Sequence, residues 1–501
     1  MTRPAPAPPA SHGPRLGLAP AARSAALALA LAAAALAPAC RTSPARTPQP
    51  ADAESLAPHE TAFLDTLAER TFRWFWDVTD PRTGLTPDRW PTRSFASVAA
   101  VGFALTAYPI GAERGWISRE QARARTLATL EFLWRAPQSD APAGAAGHRG
   151  FFYHFLDPST GHRFERVELS TMDTALLLGG ALFAQTWFDG GHPDEVRIRA
   201  VAESLYRRVE WDWAQPRPPT LALGWHPESG HLPYDYRGYN ETMLLYVLAL
   251  GSPTHPAHPA SWSAYTEGYR WGVFHGEEHL GFAPLFGHHY SHVWIDFRGI
   301  QDSVMRARGL DYHENSRRAT LAQRAYALAN PGRFRGYGPR LWGLTACDGP
   351  LDGEVETSTG RRAFRTYAAR GASFTEVVDD GTVAPTAAGG SIPYAPRACV
   401  EVLLAMRADH GDDVFGRYGF VDALNPTLDV PAKLQHGRVV PGKGWYDTDH
   451  LGIDQGPILA MIENHRSGLV WRTMRRNPHL VRGLRRAGFT GGWLDAAPRE
   501  P

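Results

Sequence analysis

An all-α fold is what this sequence predicts: two concentric rings of helices forming an α/α toroid, with an irregular, partly β excursion over one rim. Three observations carry the expectation. Apolar helical stretches alternate with amphipathic ones from about residue 55 onward. The apolar stretches are apolar on every face, which marks a helix enclosed by others. The amphipathic ones present one apolar stripe, as a half-exposed outer helix does.

The apolar helices are expected to begin near Ser94, Ser170, Asn240, Asp296, Pro396 and Asp454. The amphipathic ones lie near 58–77, 118–135, 193–211, 261–273, 313–330 and 469–487. In the third of these, Ile198, Val201, Leu205 and Val209 share a face from which Arg197, Arg207 and Arg208 are absent. Six of each type suggest an inner and an outer ring. Residues 331–395 break the pattern with frequent Gly, Pro and Thr, and Phe374-Thr-Glu-Val-Val378 has strand composition. They read as an excursion over one rim.

The N-terminus reads as a targeting segment. Arg3, Arg15 and Arg23 precede an apolar run over 25–36, too short to span a bilayer. The run ends Leu36-Ala-Pro-Ala-Cys40, which resembles a bacterial lipoprotein box, so lipidation at Cys40 is expected. Residues 1–40 are thus a signal peptide, 41–54 a flexible tether rich in Pro, Thr and Ala, and 55–490 one catalytic domain. The expected setting is periplasmic or outer-membrane-anchored, with the membrane met only through an N-terminal lipid. Cys347 and Cys399 remain, and export would permit either a disulfide or two buried thiols.

Composition narrows the chemistry. A net charge of +1 gives no basis for a nucleic-acid partner. No phosphate-binding Gly-rich loop, Cys-x-x-Cys pair or Gly-x-Ser-x-Gly elbow is present. Carboxylates and aromatics remain, including 16 Trp and 17 Tyr. In a toroid, polar groups at inner-helix starts face the central cleft, and four such segments stand out.

Glu168-Leu-Ser-Thr-Met-Asp173 places Ser170 as an N-cap and Asp173 in a helix's first turn, with Glu168 a second acid. Tyr236-Arg-Gly-Tyr-Asn-Glu241 places Glu241 at the mouth of an apolar helix that Asn240 can cap. Arg237, Tyr236 and Tyr239 surround an acid whose burial would raise its pKa, as a general acid needs. In the third, running from Gly287 to Asp302, His288 and His292 have the i, i+4 spacing of a metal pair. No acid completes the set, so sugar-hydroxyl contacts by His288, His292, Trp294, Asp296 and Arg298 are expected instead. In the fourth, Asp447, Asp449 and Asp454 precede the last inner helix, with Asp454 read as its N-cap. Trp225, Tyr239, Trp294 and Trp445 are candidate sugar platforms. No metal and no cofactor are expected.

Several motifs carry a family resemblance: Glu168-Leu-Ser-Thr-Met-Asp-Thr-Ala-Leu-Leu-Leu178, Gly238-Tyr-Asn-Glu-Thr-Met-Leu-Leu-Tyr246, Ser291-His-Val-Trp-Ile-Asp-Phe-Arg-Gly299, Ala384-Pro-Thr-Ala-Ala-Gly-Gly-Ser-Ile-Pro393, Leu451-Gly-Ile-Asp-Gln-Gly-Pro457 and Ile462-Glu-Asn-His-Arg-Ser-Gly468. By these the chain resembles the bacterial glucoamylase-like (glycoamylase) family, which includes the endo-β-1,2-glucanases of glycoside hydrolase family 144. The resemblance implies a single (α/α)6 barrel, an inverting hydrolytic mechanism and a glucan substrate. Glu241 and Asp173 fall in its motifs as leading acid/base candidates, with Glu168, Asp449 and Asp454 as alternates. Asn240 and Arg237 would contact substrate.

The reading is therefore an exported glycoside hydrolase, a monomer, cleaving a glucan, with β-1,2-glucan the first choice. Two other readings stand beside it: a glycan-binding lipoprotein without turnover, and a polysaccharide lyase on the same fold.

Overall fold

The computed structural model describes residues 56–498. The expected signal peptide, the lipidation at Cys40 and nearly all of the tether lie outside the described residues. Among the described residues, no helix is long and apolar enough to cross a membrane.

Enclosed helices form where the sequence is apolar all round. Val98–Glu113 buries every residue from Val98 to Gly111. Met243–Gly251 is buried throughout, and Thr171–Trp187 nearly so. Gly452–Arg466 completes the long members of the set. Val98–Glu113 packs on Thr171–Trp187, which packs on Met243–Gly251, which packs on the short Tyr290–Trp294 helix. Tyr290–Trp294 and the Pro385–Gly389 helix both pack on Gly452–Arg466, which returns to Val98–Glu113. Glycine sets the closest approach in this circuit. A Cβ on Gly180 would lie 2.0 Å from the Gly102 carbonyl oxygen, so these two helix backbones touch with no side chain between them.

Amphipathic helices cover the outside. Pro58–Val78 lies against Val98–Glu113 and Gly452–Arg466, and Arg119–Arg135 lies against Pro193–Arg207. Ser261–Thr266 and Tyr312–Ala329 follow. The predicted 469–487 helix is two pieces, Leu469–Met474 and Pro478–Arg486, because Asn477 starts the second by accepting the amides of His479 and Leu480.

Three expectations need correction. The helix placed at Asp296 is Tyr290–Trp294, and Asp296 follows it. The helix at Pro396, Pro396–His410, exposes Arg397, Glu401 and Arg407 and is not enclosed. The enclosed element there is Pro385–Gly389, inside the segment read as excursion; five residues are too few to show a period. Finally, the chain is not all-α. Short strands lead directly into enclosed helices: Ala96–Ser97 before Val98, Leu169–Ser170 before Thr171, and His450–Leu451 before Gly452. One belongs to a five-stranded antiparallel sheet in the order Gly147–His148, Phe151–Tyr153, Leu169–Ser170, Gly224–His226, Gly230–His231. These pairings satisfy backbone groups that a buried helix entrance would leave without water.

The excursion does carry strands, including the Gly353–Thr357 and Gly360–Phe364 hairpin. Of the Phe374–Val378 run, only Val377–Val378 pairs, with Gly371–Ala372. Cys347 and Cys399 are both free and buried, so no disulfide joins them.

Candidate active site

Two groups of buried carboxylates lie near Tyr290. Burial raises the Tyr290 hydroxyl well above its ordinary value, and charges from both groups add to that: Asp454 of one, Glu241 and Asp173 of the other.

The first group is built on the five-stranded sheet. Ser170 ends its strand and caps the next helix, accepting the Asp173 amide at 3.1 Å while its hydroxyl donates to Asp173 Oδ2. His154 stands between two acids. Its Nδ1 lies 2.8 Å from Glu168 Oε1 and its Nε2 3.5 Å from Asp173 Oδ1. Burial alone would lower its pKa, but Asp173 and the Glu168 hydrogen bond outweigh that and push it up to about 9. It is therefore an imidazolium at neutral pH. Burial raises Glu168 as well, but His154 more than offsets this and holds its carboxyl below the ordinary value.

Glu241 lies in the turn before Met243–Gly251, one residue outside the N-cap position at Thr242. Asn240 Oδ1 accepts the Thr242 amide at 3.0 Å and closes that turn. The Glu241 carbonyl accepts Ser291 Oγ–H at 2.6 Å, and the same Ser291 oxygen accepts the Leu244 amide at 2.8 Å. The backbone at Glu241 is thus fixed from two sides. Burial pushes its carboxyl up to about 7, its own amide opposes this, and the Asp173 charge adds to it. Tyr236 lies close enough to feel Glu241, Asp173 and Glu168.

The second group gathers Asp88, Asp348, Asp422, Asp447, Asp449 and Asp454, all at most 9% exposed. Arg89 Nη1 reaches Asp348 Oδ2 at 2.5 Å, and its Nε lies 3.4 Å from Asp88. Asp449 accepts the Thr92 amide at 2.8 Å. Asp454 is the third residue of Gly452–Arg466 and not its N-cap, which is Leu451. Burial first, then Asp348 and Asp88, push Asp454 up to about 7. Burial, Asp454 and Asp348 hold Asp422 well above the carboxylate range. At the mouth, Trp90 is 38% and Tyr367 53% exposed.

Several predicted substrate contacts lie elsewhere. Trp294 and Trp445 are fully enclosed, with their indole N–H groups donated to Thr106 Oγ1 and the His436 carbonyl, so neither offers a face to a sugar. His288 and His292 are buried and held neutral. His288 bonds Tyr239 at 3.0 Å, and His292 bonds Ser316 at 3.2 Å. Tyr239 itself is 5% exposed and packs against Tyr269. Asp296 is clamped by Arg298 and Arg475, which occupies both charges of that expected pair. Arg237 is exposed and donates to Thr220. Asn240 serves the turn. Trp225 stays half-buried, stacked on His148 with centroids 4.9 Å apart.

Sequence reasoning missed His154, Tyr367, Trp90, Asp88, Arg89, Asp348 and Asp422. One of these carried a signal: His154 lies inside Tyr153-His-Phe155, a histidine in an apolar strand run. Tyr290 lies in the 287–302 segment, whose tyrosine is among its expected sugar contacts.

The Glycoamylase family model, "Putative glucoamylase", matches residues 233–478. A crystal structure of that same description from Bacteroides uniformis ATCC 8492 superposes with a TM-score of 0.73 at 30% identity, covering 88% of this chain and 100% of its own. The endo-β-1,2-glucanase of Chitinophaga pinensis, in complex with sophorotriose and glucose, gives a TM-score of 0.73 at 28% identity, covering 88% of this chain and 100% of its own. A curated relative from Parabacteroides distasonis, an exo β-1,2-glucooligosaccharide sophorohydrolase (non-reducing end), is 28% identical over 457 residues, or 84% of this chain. This chain spans 57% of that relative's length.

Proposed function

The chain belongs to the glycoamylase-like family of glycoside hydrolases, and on that footing we propose that it cleaves a β-1,2-linked glucan by an inverting acid/base mechanism. One observation carries the reading: Glu241, raised to about 7, stands beside Asp173, which the His154 imidazolium faces. Two neighbouring carboxyl groups with environments this different can divide acid and base roles. Glu241 donates its proton to the leaving glycosidic oxygen. Asp173 accepts a proton from the water that attacks the anomeric carbon from the opposite face. The C–O bond breaks as the new one forms, and configuration inverts. Asp173 and Glu168 keep His154 charged, and His154 faces the Asp173 carboxyl.

The enclosed and outer helices are read here as an (α/α)6 toroid whose inner-helix entrances form the cleft. Trp90 and Tyr367 are its exposed aromatic faces, suited to stacking on pyranose rings. Export to the periplasm or cell surface, with a lipid at Cys40, belongs to the same proposal and is supported by the composition of residues 1–40.

The test is incubation of the purified protein with linear β-1,2-glucan and, in parallel, β-1,3-, β-1,4- and β-1,6-glucans and soluble starch. Product sizes and the first-formed anomer are read by NMR. Oligosaccharides from β-1,2-glucan alone, first appearing as the α-anomer, are expected. Release of the β-anomer would replace inversion by retention, and no product from any glucan would leave a binding protein.

A further inference from the structure

The second carboxylate group contains a feature that proton transfer to a glucan does not use. Asp348, Asp422 and Asp447 each follow a short strand: Ala346–Cys347, Gly419–Phe420 and Gly444–Tyr446. Backbone hydrogen bonds tie the three segments together. The Asp348 amide donates to Asp422 Oδ2 at 2.8 Å, the Asp447 amide donates to the Ala423 carbonyl at 2.9 Å, and the Asp422 amide donates to the Asp449 carbonyl at 2.9 Å. The three side chains are 0%, 2% and 1% exposed, and one oxygen from each lies within 4.8 Å of the other two.

One of those side chains keeps a buried oxygen that nothing donates to. Asp422 Oδ2 takes the Asp348 amide, and the Asp422 carboxyl is hydrogen-bonded to that of Asp454. Asp447 Oδ1 takes the amides of Thr448 and Asp449, but Asp447 Oδ2 has none. A buried carboxylate oxygen left bare is costly, and native proteins rarely keep one. The bare Asp447 oxygen belongs to this cluster of three buried aspartates.

Positive charge at the cluster is short. The Arg89 guanidinium is engaged by Asp348 and Asp88. The neighbouring Arg370 is engaged by Asp380 through both Nε and Nη2 at 2.8 Å. Neither reaches the free oxygen of Asp447.

We infer that Asp348, Asp422 and Asp447 bind a hard divalent cation, calcium by preference. The donors are all oxygens, which favours calcium or magnesium over zinc or copper. Calcium–oxygen bonds of about 2.3–2.6 Å can bridge oxygens separated by up to about 5 Å, whereas the shorter bonds of magnesium demand a tighter octahedron. The cation pins the excursion, through Asp348, to the segment that leads into Gly452–Arg466. It thereby fixes the cleft wall opposite Glu241 without entering the acid/base step.

The experiment uses the full purified chain, stripped with EDTA and dialysed into calcium at pH 7. Metal content by mass spectrometry should return one calcium per chain, and thermal melting should rise with calcium and fall again on chelation. In Asp447→Asn, calcium binding by titration calorimetry should weaken on the order of 100-fold, with the calcium-dependent rise in Tm lost. Asp422→Asn should behave the same way, which guards against a defect peculiar to one variant. A wild-type chain with no bound calcium and a Tm indifferent to calcium and EDTA overturns the inference. So does an Asp447→Asn variant that gains as much Tm from calcium as the wild type. Because the readouts are metal content and melting, the outcome is independent of which glucan is cleaved.

Discussion

The two sides of the cleft solve the same electrostatic problem differently. On the Glu168 side, His154 sits between two carboxylates and carries the charge they need. On the Asp454 side, Arg89 pairs with Asp348 and Asp88, the Asp422 and Asp454 carboxyls bond each other, and Asp447 Oδ2 faces no donor. The first arrangement leaves Glu241 poised near neutrality beside Asp173. The second relieves part of its repulsion by a carboxyl–carboxyl hydrogen bond between Asp422 and Asp454 and leaves Asp447 with a bare oxygen. A buried carboxylate is thus not one kind of object; its neighbours decide whether it moves protons or holds a ligand.

The sharpest way to break this contrast is Glu241→Gln. It keeps the shape of the side chain but removes the proton to be donated, and kcat should fall roughly 10²–10⁴-fold with the melting curve little changed. Retention of full activity would remove the acid from the first side.

Arg89→Met attacks the second side. Loss of its guanidinium leaves Asp348 and Asp88 without a counter-charge, and stability measured by urea unfolding should fall by about 3–5 kcal/mol. Adding Asp348→Asn should recover part of that loss. A neutral effect of Arg89→Met would mean that the side is already compensated.

The pH profile separates the two titrations on the first side. Glu241 must be protonated to act, so kcat/KM should decline as pH rises through about 7. The pKa of His154 is raised in the folded protein, from 6.5 to about 9. Its contribution to stability is therefore complete below about 6.5 and is lost as pH rises through about 9. In His154→Gln, unfolding free energy should lose its downward slope over that window. An unchanged slope would place the charge on another group.

The smallest effect is expected at the rim. Tyr367→Ala should raise KM roughly two- to tenfold with kcat nearly constant, as loss of a stacking face would. A fall in kcat with KM unchanged would move Tyr367 from binding to chemistry.

Much of the frame was legible because long helices announce themselves. The 14-residue buried run in Val98–Glu113 and the striped Pro193–Arg207 follow from composition and period alone. Ser170 was readable as a cap for Asp173 because capping is local, between residues three apart. The strands before the enclosed helices were not, since two residues have no alternation to detect. Trp294 and Trp445 show the opposite failure. An aromatic is equally at home on a sugar or in a core, and only packing decides which.

By itself the sequence determined that the helices beginning at Val98, Thr171, Met243 and Gly452 are enclosed, and that Asp173 and Glu241 stand at or just before the starts of two of them. Both facts depend on residues close in the chain. Tertiary structure alone decided that His154 stands between Glu168 and Asp173. It alone brought Asp88, Asp348, Asp422, Asp447, Asp449 and Asp454 together from segments hundreds of residues apart. Charge interactions act through space at a few ångströms, and no local pattern records which distant carboxylates the fold will bring within that range.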